Sequence, residues 1–200
     1  MTKKILNHFE KVDIILFNAS KKYGNFEIIT PKEPKEYFVS LCDEIVSQQL
    51  SRKVADVIFD RFKKIFTNGK ITAEHVLKLK HEDLRATGMS NSKVKFIMDL
   101  ASRVYNREVD LEKLVLLEND KVVTELTKIK GIGPWTAEMF LMFTLGREDV
   151  FSHGDLGLRN AIKKLYVLDN PTKEYVGELS LKWSPYRTYA CRILWNSLEN

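Results

Sequence analysis

The chain has 200 residues, 44% of them hydrophobic and 30% charged, with a net charge of +5. That length supports one substantial core or two small lobes, the apolar fraction excludes a disordered chain, and the modest basic excess permits a nucleic-acid partner without requiring one. No apolar run approaches the about 18–20 residues that span a bilayer, and two separated cysteines fit a reducing cytosol rather than a disulfide scaffold.

Helical periodicity dominates from end to end, with no convincing strand or repeat. The N-terminal stretch MTKKILNHFEKVDIILF is interrupted by acidic residues and lacks the apolar core of a signal peptide, so a cytoplasmic protein is expected. Residues 5–19 read as a first helix, and 20–35, with Gly24, Pro31 and Pro34, as a connection. Two amphipathic helices, 36–48 and 51–66, meet near Gln48-Gln49-Leu50, with Ser51 as N-cap. Thr72 and His81 open short helices, 91–106 forms another, and 111–129 holds one or two more. Helices over 134–146, 156–168, 172–182 and 185–198 complete the chain. The expected fold is all-α, a compact two-lobed single domain over 1–200 with a central cleft.

The most informative stretch is 126–160, LTKIKGIGPWTAEMFLMFTLGREDVFSHGDLGLRN. Leu126 and Ile129 belong to an apolar helical face that Gly131-Ile132-Gly133 terminates. Glycine tolerates positive φ and leaves the backbone bare, so a phosphate can approach closely. Pro134 suits the first turn of the following helix, and amides at a helix N-terminus point toward an anion. The pattern is a helix-hairpin-helix, which grips phosphate without reading sequence; an ordinary αα-hairpin with a glycine C-cap fits the same residues. Trp135 stands just past the hairpin.

Asp155 follows the polar run Ser152-His153-Gly154 and opens a helical pattern through Leu158, Ile162 and Leu165. It reads as an N-cap. Capping is compatible with catalysis, because a helix N-terminus stabilises negative charge, and a carboxylate is what a developing sugar cation needs beside it. The turn from Thr87 to Lys93 reads as a secondary phosphate contact, through Ser90 and Lys93, or as a plain loop. His8, His75, His81 and His153 have no metal-ligand spacing.

From about residue 36 to 198 the chain resembles the helix-hairpin-helix DNA glycosylases, in their DNA-3-methyladenine glycosylase II branch. The resemblance is carried by IVSQQLS before RKVADVIFDRF, by TGMS before NSKVKFIMDLA, by GIGPWTAEM, by LGREDVF and DLGLRNAI, and by WSPYR before TYACRILW. It implies Asp155 as the catalytic carboxylate, with Trp135 and Trp195 lining a base pocket beside Met139 and Phe143. DNA contacts are implied for Gln49, Leu50 and Ser51 at the helix–helix turn, with Gln49 or Leu50 entering the space left by an extruded base. Further contacts fall to Ser90, Lys93, Gly131, Gly133 and Thr136. Relatives that cleave the strand carry a nucleophilic lysine where this chain has Trp135, which cannot form a Schiff base. Two cysteines cannot build the four-thiolate cluster of the iron–sulfur members.

The resemblance thus implies a monofunctional, monomeric glycosylase that extrudes alkylated purines from double-stranded DNA and hydrolyses their glycosidic bond. No cofactor is expected beyond a structural Na+ or K+ at the carbonyls of Ile129 and Ile132. A non-catalytic DNA-damage binder and a monofunctional glycosylase for deaminated or mismatched bases are the alternatives. Two departures stand out: the loop before Asp155 is Ser-His-Gly where many relatives have a proline turn, which bears on loop geometry, and Ser51 stands where some carry a larger side chain, which bears on lesion range.

Overall fold

The computed structural model describes residues 1–25, 27–66 and 69–198. Among the described residues, twelve α-helices and two short 3-10 turns make up the regular structure, and there is no strand. The chain divides into two units: one comprises Met1–Pro31 with Gly146–Asn200, the other the continuous segment Lys32–Leu145.

The continuous unit contains α3 (Tyr37–Ser47), α4 (Arg52–Lys64), α5 (Ala73–Leu77), α6 (His81–Ala86), α7 (Asn91–Tyr105), α8 (Asn119–Leu126) and α9 (Pro134–Phe143). Its core follows the apolar stripes of the sequence: Leu41, Ile45 and Val46 of α3, Phe62 of α4, Ile97 and Leu100 of α7, and Phe140 of α9 are all fully buried. Tyr37 meets Phe140 edge to face, with ring centroids 5.6 Å apart. Gln48, Gly131 and Gly88 close the turns after α3, before α9 and before α7 respectively.

The discontinuous unit pairs α1 (Lys3–Val12) and α2 (Ile14–Tyr23) with α10 (Leu156–Leu165), α11 (Lys173–Leu181) and α12 (Arg187–Asn196). The single N-terminal helix expected over 5–19 is instead two. Asp13 breaks it: its backbone is extended at φ −159°, and its side chain caps α2. Periodicity misses this break because apolar residues continue on both sides of it.

Asp13 is also the polar knot of this unit. One carboxylate oxygen accepts from the amides of Ile15 at 3.1 Å and Leu16 at 3.0 Å. The other accepts from the Tyr166 hydroxyl at 2.5 Å and the Trp183 indole N–H at 2.8 Å. Trp183 is fully buried, and burial together with Asp13 pushes the Tyr166 phenol far up. The first residues of the chain are thereby tied to its last third. Asp13→Ala removes one helix cap and leaves two donors without their acceptor, so unfolding free energy should fall by about 3 kcal/mol in urea denaturation. A loss below about 1 kcal/mol would reduce Asp13 to a surface cap.

Candidate nucleic-acid interface and candidate active site

In the continuous unit the hairpin forms as the sequence predicts, but its two glycines do different work. Gly131 takes φ +84°, and a Cβ there would lie 2.2 Å from the Phe96 ring of α7. Only glycine satisfies both the angle and the close approach. Gly133 is extended, at φ −91° and ψ 176°, and N-caps α9 with Pro134 in its first turn. Positive φ is therefore not its reason for being glycine. A Cβ at Gly133 would meet nothing within 4 Å; what the residue offers is bare backbone facing open space. The Ile132 amide closes the turn onto the Ile129 carbonyl at 3.1 Å.

Trp135 is 44% exposed on the first turn of α9. Met139, by contrast, is buried in the core, and Phe143 is half-buried at the end of the helix. Thr136 is also buried, and its hydroxyl accepts from the Gln48 side-chain amide at 3.3 Å. The Thr136 hydroxyl is thereby engaged within the protein, joining the hairpin to the turn after α3.

The turn after α3 runs through Gln48 at φ −50° and ψ 129° and Gln49 at φ +56°, and closes with the Leu50 amide on the Ser47 carbonyl at 3.2 Å. These are the angles of a type II turn, whose third position favours glycine. Gln49 occupies it as a strained non-glycine residue, a condition that clusters at functional sites. Gln49 and Leu50 are both exposed. Ser51 stands at the N-cap position of α4, but its side chain makes no capping bond.

Lys93 is tied to the turn after α3. Its ammonium donates to the carbonyls of Val46 at 2.7 Å and Gln48 at 2.8 Å, satisfying the open end of α3. Burial holds its pKa below the usual lysine value. Ser90 is exposed and caps α7 by accepting the Lys93 amide at 3.2 Å. Glu44, one turn before the end of α3, is pushed up to about 7 by burial and by Asp43.

The discontinuous unit carries Asp155. Its φ of −75° and ψ of 116° place it outside α10 as the N-cap. The same carboxylate oxygen accepts from the Leu158 amide at 2.8 Å and from the Trp195 indole N–H at 3.3 Å. A Cβ on Gly157 would sit 3.0 Å from that oxygen and 3.5 Å from the Trp195 ring, so glycine keeps the approach open. Sequence reasoning assigns Trp195 to base stacking; the structure adds that its polar edge orients the carboxylate.

The loop leading to Asp155 is held by the start of α12. Arg187 pairs with Asp149 through two nitrogens at 2.7 and 3.0 Å, and the Ser184 hydroxyl donates to the same carboxylate at 2.8 Å. These donors hold Asp149 below the usual carboxylate range against the opposing effect of burial. Tyr189 donates to Glu148 at 3.1 Å. His153 contacts the Phe151 ring, and burial and the Arg187 charge press its pKa down. No group of three or more His, Cys, Asp or Glu among the described residues could hold a metal ion.

All-α architecture, a glycine hairpin feeding α9 and an aspartate-capped helix define a helix-hairpin-helix protein. Residues 42–185 match the model of the HhH-GPD superfamily of base excision DNA repair proteins. The chain is 38% identical over 180 residues to DNA-3-methyladenine glycosylase 1 of Schizosaccharomyces pombe, covering 88% of this chain and 79% of that protein. It is 35% identical over 162 residues to a putative DNA-3-methyladenine glycosylase of Bacillus subtilis, covering 78% of this chain and 56% of that one. A solved structure of the Schizosaccharomyces pombe 3-methyladenine DNA glycosylase in complex with abasic DNA superposes with a TM-score of 0.82 at 35% identity, covering 96% of this chain and 95% of that chain. The chain belongs to the HhH-GPD superfamily, within its DNA-3-methyladenine glycosylase family.

The division of labour between the glycines is testable. Gly131→Ala drives a methyl into Phe96 at a positive φ and should cost about 2–4 kcal/mol of stability. Gly133→Ala should cost under about 1 kcal/mol yet weaken binding to every DNA sequence alike, measured by fluorescence anisotropy. The reverse pattern would contradict the assignment.

Proposed function

We propose that this protein is a monofunctional DNA glycosylase that removes alkylated purines, of the 3-methyladenine and 7-methylguanine type, in base excision repair. The observation that carries the proposal is Asp155: a carboxylate fixed at a helix start by a main-chain amide and an indole N–H. A pre-oriented negative group of this kind lowers the energy of a developing oxocarbenium-like sugar without reorganising during the reaction. The same carboxylate can orient or deprotonate the attacking water.

The glycosidic bond is inaccessible within a stacked duplex, so the nucleotide must first leave the stack. Exposed Gln49 and Leu50 are the side chains for the vacated space. Alkylated purines of this type carry positive charge, and the exposed face of Trp135 attracts a cationic ring. That charge also makes the base a good leaving group, so little acid catalysis is needed. Products are the free base and an abasic site. The protein works as a monomer on double-stranded DNA, in the cytoplasm at the nucleoid or, in a eukaryotic cell, in the nucleus.

Incubation with methylated duplex DNA, followed by chromatography of the released bases, tests the reading. Base release should exceed that of a heat-killed control. Asp155→Asn should lower it by about two orders of magnitude or more while DNA binding survives. Borohydride should trap no covalent adduct, and the strand should stay intact until alkali opens it. No release from any lesion would leave a DNA-binding module; a trapped adduct would mean that a lysine reaches the sugar.

The hydrolysis requires no cofactor. A monovalent cation, Na+ or K+, would be held at the hairpin as a structural element by the Ile129 and Ile132 carbonyls: the Ile129 carbonyl uses one lone pair on the Ile132 amide, and a carbonyl has two. It would hold the hairpin oxygens together and take no part in the chemistry. Chelation with EDTA should leave base release unchanged. Replacing K+ by tetramethylammonium at constant ionic strength should weaken DNA binding; equal affinity in both salts would remove the cation.

A further inference from the structure

We infer that Gln48 is a positioning residue that locks the base-replacing turn to the phosphate-gripping hairpin, so that DNA held by one is wedged by the other. This rests on the base-excision reading and extends it to a residue that the sequence does not single out.

Three segments of the continuous unit converge on one frame. The Gln48 side-chain amide donates to the Gly131 carbonyl at 2.8 Å and to the Thr136 hydroxyl at 3.3 Å. It therefore joins the turn after α3 to both ends of the hairpin, 83 and 88 residues further along the chain. The Gly131 carbonyl can only accept, which settles that the amide nitrogen of Gln48 faces it. Lys93 of α7 holds the other side of the same turn through the Val46 and Gln48 carbonyls. The carboxylate of Asp99, also on α7, accepts the Lys130 amide at 2.9 Å, and Phe96 lies under Gly131. Turn, hairpin and α7 are thus braced pairwise.

The brace has work to do because Gln49 is held at φ +56°. An unsupported turn with a non-glycine residue there would relax to another conformation at a gain of about 1 kcal/mol or more. Relaxation would swing the side chains of Gln49 and Leu50 away from where a bound duplex needs them. Gln48 does not touch the reacting atoms. It acts through the turn, so its loss should slow the extrusion step and spare the bond cleavage that follows.

Gln48→Leu keeps the volume of the side chain and removes both donors. The test is single-turnover release of 7-methylguanine from two duplexes. In one the lesion is fully paired; in the other it sits in a single-nucleotide bulge and is already largely out of the stack. Misplacing a positioning element costs about tenfold or more, so release from the paired duplex should fall by that factor while release from the bulge stays within about threefold. Lys93→Met, which frees the opposite side of the turn, should give the same paired-to-bulged disparity. An equal fall on both duplexes, no fall on either, or failure of Gln48→Leu to fold would overturn the inference, since each denotes a purely structural or an idle side chain. Wild-type protein that releases base from neither duplex would instead defeat the glycosylase reading on which the inference stands.

Discussion

The hairpin depends on one steric constraint: Gly131 lies against the Phe96 ring with no room for a Cβ and with its φ at +84°. Past Gly131, Gly133 offers bare backbone to open space, and α9 exposes Trp135 while burying Ala137, Met139 and Phe140. The Gly131 carbonyl itself accepts from Gln48. A contact made by hydrogen bonds alone would leave this loop free to breathe. One made by ring against backbone, with close-packed neighbours, has little give.

In the other unit a single helix start fixes the carboxylate to which the proposed chemistry is assigned. Asp155 satisfies an amide of α10 that would otherwise lack a partner, and in doing so acquires a fixed orientation. Trp195 supplies the second donor from α12, and the Arg187–Asp149 pair anchors the loop between. The carboxylate is held from two helices far apart in sequence, so its geometry is a property of the folded unit rather than of the loop. Asp13 does for the N-terminal helices what Asp155 does at the site, but with its donors drawn from the interior. The two caps look alike in sequence and differ in what surrounds them.

That difference marks where sequence reading succeeds and where it stops. The all-α class, the hairpin and Asp155 as a cap are legible because each depends on neighbours within a few residues. The break at Asp13 is not, since the apolar pattern runs on through it and the deciding partners are Tyr166 and Trp183. Lys93 and Thr136 look like surface residues for DNA, a charge and a hydroxyl beside polar turns, and the structure adds that each also bonds to the turn after α3. Gln48 was hidden for the same reason: its partners lie more than eighty residues away. The only local hint is the doubled glutamine at 48 and 49, of which one points out and the other is drawn inward.

If Asp155 stabilises positive charge on the sugar, as proposed, the protein must distinguish a charged mimic of that sugar from a neutral one. Duplexes containing a pyrrolidine abasic analogue, which carries a cationic ring nitrogen, are compared with duplexes containing the neutral tetrahydrofuran analogue. Wild-type protein should bind the cationic duplex about tenfold or more tightly, and Asp155→Asn should bind the two alike. Equal affinity in the wild type, or a preference that survives in Asp155→Asn, would place the electrostatic stabilisation elsewhere and contradict the account.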